Sequence, residues 1–99
     1  MQLSSIFQAN RGQTVTCALL GKSVVFELPG SSTDMRVAKV TVRGDGVVHL
    51  ATDTERGFAS QSDQIATRSE PLYLILPAGH RFIALLGDLG TTVYVSIGQ

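Results

Sequence analysis

Apolar residues recur at every second position through most of the chain. Val15, Cys17 and Leu19 alternate with Thr14, Thr16 and Ala18, and Val24, Phe26 and Leu28 alternate with Val25 and Glu27. Further on, Ala38, Val40 and Val42 oppose Lys39, Thr41 and Arg43; near the end Val93, Val95 and Ile97 oppose Thr92, Tyr94 and Ser96. A period of two rich in β-branched residues marks a strand with one face buried and one face wet. Clean alternation also favours antiparallel sheets, because parallel strands tend to be apolar on both faces.

Turn residues interrupt these runs at short intervals: Gly21, the stretch 29–34, Gly44-Asp45-Gly46, Pro77-Ala78-Gly79 and the stretch 87–90. Glycine supplies positive φ and aspartate tolerates it, as tight hairpin connections require. The pattern predicts strands over 13–20, 23–28, 35–43, 47–53, 63–67, 71–76, 80–86 and 91–97, with Gly44-Asp45-Gly46 as a hairpin apex between the third and fourth. Eight short strands separated by such turns predict an all-β fold: an antiparallel two-sheet sandwich of jelly-roll type.

Two segments depart from the alternation. Residues 1–12 place Leu3, Ile6 and Phe7 in a polar stretch ending in Asn10-Arg11-Gly12. This is read either as an edge strand or packed terminus, or as an arm lying on a neighbouring subunit, ahead of a single domain over 13–99. Residues 53–69 are polar, with Phe58 and Ile65 as their large apolar residues. Long loops in compact domains are usually functional or disordered, so a contact loop is expected here, with room for a short helix or a poor strand.

Composition changes the picture in one respect. The 99 residues suffice for one domain, but charged residues make up 16%, against about 25% in an average soluble domain. Eight Lys and Arg balance eight Asp and Glu to a formal net charge of zero. A neutral, weakly charged surface invites association, so homo-oligomerisation is expected. One cysteine rules out an intramolecular disulfide framework. No apolar run reaches the ~18–20 residues of a membrane span, and the first twelve residues lack the basic and apolar regions of a signal peptide. Synthesis in a cytoplasm, with no membrane partner, follows as an expectation.

Candidate chemistry is sparse. A nucleophile needs a base within reach, and Cys17 shares the face of Val15 and Leu19, which makes it a buried small hydrophobe. His49 lies out of phase with Val48 and Leu50, and His80 follows the Pro-Ala-Gly turn; both read as surface or strand-edge residues. Asp53-Thr54-Glu55-Arg56-Gly57 departs from a calcium loop at its third position and lacks the distal Glu. Arg43-Gly44-Asp45 spells an adhesion tripeptide that the turn geometry itself explains. The eight basic residues form no concentrated field for phosphate, so nucleic acid is a poor partner. The expectation is no enzyme, no cofactor and no metal.

The stretch Pro71-Leu72-Tyr73-Leu74-Ile75-Leu76-Pro77-Ala78-Gly79 leads into His80-Arg81-Phe82-Ile83-Ala84-Leu85-Leu86. A Gly-rich turn and Thr91-Thr92-Val93-Tyr94-Val95-Ser96-Ile97-Gly98-Gln99 follow. This pattern resembles the small jelly-roll decoration (cement) proteins of tailed bacteriophages, with their Leu-Pro-Ala-Gly turn, Ile-Ala strand, short Gly turn and last strand of Thr-x-x-Tyr-Val type. The resemblance spans roughly 35–99; Gly98-Gln99 follows the Gly-Glu-Gly ending of the group only in part, and the N-terminal third has no counterpart.

The resemblance implies a virion protein bound to the major capsid protein on the outer face of the head, as a trimer in preference to a dimer. Interfaces draw most of their energy from a few aromatic or arginine residues. Phe7, Phe58, Tyr73 and Tyr94, with Leu3, Ile6 and Arg11 on the arm, are therefore the expected contact residues. The alternative is a receptor- or carbohydrate-binding sandwich of a tail fibre or spike, for which the absence of Trp is unfavourable.

Overall fold

The computed structural model describes residues 9–30, 33–59, 64–67 and 69–98, with residues 9–12 and 64 described as backbone only. Eight strands form: β1 (Ala9–Ala18), β2 (Val24–Glu27), β3 (Arg36–Arg43), β4 (Val48–Asp53), β5 (Gln64–Ala66), β6 (Leu72–Leu76), β7 (Phe82–Leu86) and β8 (Thr92–Gly98). Each predicted segment holds one of them. The first begins earlier than expected: the backbone from Ala9 already lies in β1, whereas Leu3, Ile6 and Phe7 lie outside the described residues.

The strands make two antiparallel four-stranded sheets, sheet I in the order β1-β8-β3-β6 and sheet II in the order β2-β7-β4-β5. The pairs β1/β8, β2/β7, β3/β6 and β4/β5 nest inside one another, like one long hairpin wrapped across two layers. This is the jelly-roll arrangement. It corrects the expectation for Gly44-Asp45-Gly46. The turn does not close a hairpin; it carries the chain from β3 in sheet I to β4 in sheet II. The same holds for the turns at 77–81 and 87–91. A compact glycine-rich reversal suits an arch between layers as well as a hairpin within one.

The alternating residues meet between the sheets. Cys17, Ala38, Val40, Val42, Val93, Val95 and Ile97 from sheet I pack against Val48, Leu50, Ala66, Ile83 and Leu85 from sheet II. Leu19, Leu28 and Leu76 close the ends. Ile83, Leu85, Val93, Val95 and Ile97 have no solvent exposure at all. Burying each such side chain is worth about 1.5–3 kcal/mol, and with no cross-link this layer carries the fold. Cys17 sits within it as expected, and burial pushes its thiol up to about 12.

Candidate interaction surface

The two outer faces differ. On sheet I the register aligns Thr16, Tyr94 and Thr41 in one row across β1, β8 and β3. Thr14, Ser96, Lys39 and Tyr73 form the next row. The Thr14 and Ser96 hydroxyls share a 3.1 Å hydrogen bond, and the Lys39 ammonium stands 6.0 Å from the Tyr73 ring centre. Tyr73 and Tyr94 thus point away from the core as the alternation predicts, though both rings are half-buried among their neighbours. Arg11 lies in β1, far along the chain from either.

On sheet II the outward row Val25, Ala84 and Ala51 is apolar, and Phe82 lies beside it. Phe82 and Ala84 are nonetheless buried. Residues 54–59 account for this by folding back over the sheet as a strap. Glu55, Gly57 and Phe58 line a small crevice against Ala51, Phe82 and Ala84, and Ala59 is buried. The Ala59 N–H donates to Ser23 Oγ at 2.9 Å. The guanidinium carbons of Arg56 and Arg81 each lie 5.0 Å from the Phe82 ring centre. At the strap's start Asp53 Oδ1 accepts from the Thr54 backbone N–H at 2.6 Å and from its hydroxyl at 3.2 Å. These bonds hold the Asp53 carboxyl below the usual carboxylate range. The described part of the expected contact loop therefore contacts its own sheet first, while Phe58 remains 87% exposed at its crest.

One end of the sandwich gathers the connections 19–23, 44–47 and 87–91. Backbone bonds from Leu19 N to Thr91 O (2.9 Å) and Gly21 N to Gly87 O (3.1 Å) tie the first to the third, Thr91 N to Asp88 O (3.1 Å) closes the third on itself, and 44–47 packs against it at Thr91 and Asp88. The backbone at Gly21 and Gly90 has φ of 79° and 92°, a conformation glycine adopts without strain. Gly87 is needed for another reason: a Cβ there would stand 2.5 Å from Leu19 Cδ1. These loops turn Leu20, Val47 and Leu89 outward at 54%, 49% and 76% exposure. An exposed apolar cluster on adjacent loops is a feature that solubility does not require. Its sequence signal is an apolar residue set inside or against a glycine turn, as in Gly87-Asp88-Leu89-Gly90, and contact residues chosen by aromaticity missed it.

The opposite end is polar. Arg36 is buried, its Nη1 donating to Pro29 O at 2.8 Å and its Nη2 to His80 O at 3.0 Å. Thr52 Oγ1 meets His80 Nδ1 at 2.9 Å. Desolvation lowers the Arg36 pKa, a cost that its two carbonyl partners offset in part, since the buried Nε has no hydrogen-bond partner. The arrangement buckles the loops before β3 and before β7 together. His80 is thereby half-buried and bonded, and His49 lies on the outer face of sheet II between Leu86 and Ile65. Among the described residues no group of three or more His, Cys, Asp or Glu side chains is placed to hold a metal ion.

The chain shows no significant match to any protein-family model, curated protein or solved structure.

Proposed function

We propose that this chain is a structural protein of a virus particle, a decoration protein that docks on the outer face of a bacteriophage head and stabilises the lattice by surface contact. The observation that carries the reading is the apolar loop end, where Leu20, Val47 and Leu89 stand exposed on three adjoining connections. Such an end fits into an apolar recess between shell subunits. The area of one copy is modest, but repetition over a symmetric lattice multiplies modest contacts into avidity. The low charge and zero net charge support a protein that works in an assembly, with the major capsid protein as partner and copies of itself as neighbours. It would reach the virion after synthesis in the host cytoplasm.

The test is co-sedimentation with candidate phage heads stripped of their own decoration. Wild type is expected to travel with the shells, and a Leu20→Ser, Val47→Ser, Leu89→Ser variant of unchanged circular dichroism is expected to stay in the supernatant. Equal binding by the two would refute the reading.

A second reading, glycan recognition by a tail component, draws on the outer face of sheet I, where the Thr16, Tyr94 and Thr41 row sets hydroxyls beside a ring. A glycan-array signal lost in Tyr94→Ala or Tyr73→Ala would favour it.

A further inference from the structure

Every jelly roll of two open sheets has four edge strands, and an edge is a template for another strand unless it is blunted. Three of the four here are blunted. β2 has four residues and β5 three. β1 is long, but its register with β8 shifts between Ala9 and Thr14, and the regular run that remains, Thr14–Ala18, turns polar threonines outward at 14 and 16. The fourth, β6, is regular and uncharged, with proline only at its two ends, Pro71 and Pro77. It pairs in unbroken register with β3 from Leu72 opposite Val40 to Leu76 opposite Arg36. Its sequence is Leu72-Tyr73-Leu74-Ile75-Leu76, with no charge, and among the described residues it ends its sheet.

Side-chain exposure tells the same story. Leu72 and Leu74 point inward and pack against the core, yet both stay partly exposed. A crevice lined by Ile65, Ala66, Thr67, Glu70, Pro71 and Leu72 sits at the connection from β5 to β6. On the outer face Ile75 is 48% exposed. Among the described residues, β6 therefore leaves apolar surface along this side.

We propose that β6 pairs antiparallel with β6 of a second copy about a twofold axis through Leu74, joining two four-stranded sheets edge to edge. The strand is self-complementary in this register. Leu74 faces the second copy's Leu74, Leu72 faces its Leu76, and Tyr73 faces its Ile75. Inward leucines thus meet inward leucines, and the partly exposed Leu72 and Leu74 gain cover. Outward, an aromatic ring meets a β-branched side chain, a favourable cross-strand pair. Pro71 falls opposite the second copy's Pro77, so residues without an N–H close the ladder at both ends. Registers shifted by two residues pair fewer of these side chains and set Pro71 against a residue whose bonds it cannot return. A twofold contact of this kind is closed and uses the same patch on both chains. It makes the pair a dimer, where the family resemblance pointed to a trimer. Because the strands run oppositely, the two apolar loop ends point in opposite directions. Resting on the decoration reading, one loop end of the pair would then meet the shell and the other would point away from it.

Sedimentation velocity of the full chain at micromolar concentration tests the pairing without any shell. Wild type is expected to sediment as a dimer. Ile75→Lys puts a charge on the exposed outer face of the edge strand and is expected to weaken dimerisation at least about tenfold with the far-UV circular dichroism spectrum unchanged. Thr14→Lys, on the blunted edge of the same sheet, is expected to leave the dimer intact. In a Cys17→Ala background, oxidised Leu74→Cys is expected to give a covalent dimer, because residues directly opposite lie within disulfide reach. A monomeric wild type would overturn the pairing, as would an unaffected Ile75→Lys dimer. Failure of shell binding with the dimer intact would instead remove the decoration reading alone.

Discussion

Two surfaces that strand alternation alone would treat alike turn out opposite. The outer face of sheet I is hydroxyl-rich: Thr14, Thr16, Thr41, Thr92 and Ser96 surround Tyr94. The outer face of sheet II is made of Val25, Ala51, Ala84 and Phe82, and the strap 54–59 lies over it. β7 announces the difference, since Phe82-Ile83-Ala84-Leu85-Leu86 contains no polar position at all. A strand apolar on both faces is covered on both faces. In this molecule the second cover is a loop of its own chain, not a helix layer or a partner. The comparison teaches that a polar loop with a few apolar residues can be a lid for its own sheet before it is a contact for anything else.

The largest expected effect comes from placing the same charge on each face. Ala84→Glu buries a carboxylate beneath the strap and is expected to cost about 2–4 kcal/mol, read as a lowered urea midpoint. Thr41→Glu on the open face is expected to stay within about 0.5 kcal/mol of wild type. Equal costs would erase the distinction between the faces.

Comparable in size is Phe82→Ala, which removes the ring that Arg56 and Arg81 lie over. A loss of about 2–4 kcal/mol is expected, accompanied by faster chymotrypsin cleavage after Phe58 as the strap loses its seat. Unchanged cleavage would mean the strap is held from elsewhere. Ser23→Ala deletes the acceptor for the Ala59 N–H and is expected to cost about 1 kcal/mol, with the amide of Ala59 gaining hydrogen-exchange rate while amides of β8 do not.

The smallest effect is on pH. The Asp53 carboxyl is held low by its bonds to Thr54, first the backbone N–H and then the hydroxyl. A depressed folded-state pKa means the contribution is complete above the ordinary carboxylate range and disappears as pH falls through the folded value. Acidification is therefore expected to loosen the strap before the core, seen as protease sensitivity at the strap while the β-sheet signal persists. Asp53→Asn should flatten that dependence.

The sequence was legible wherever the physics is local. The placement of Tyr73 and Tyr94 off the core and the burial of Cys17 follow from a period of two, which one residue cannot violate without dragging a neighbour into the wrong layer. Partner choice was not legible. Gly44-Asp45-Gly46 has the chemistry of a hairpin apex and serves as an arch between sheets, because turn residues specify a reversal of direction and not which ladder the returning strand joins. The loop end was missed for a related reason. Leu20, Val47 and Leu89 are isolated in sequence, and only the meeting of three connections makes them one surface.

What the chain determined alone was its ribbon character, its eight strands, the face of most strands that turns inward and the scarcity of ionisable chemistry. Those are consequences of side-chain period and type, fixed residue by residue. The tertiary structure decided the nested pairing, the burial of Phe82 and Ala84 on sheet II's outer face and the place of β6 at the end of its sheet among the described residues. Each of these depends on which distant segments come to lie side by side, and that is set by the summed burial of both layers at once.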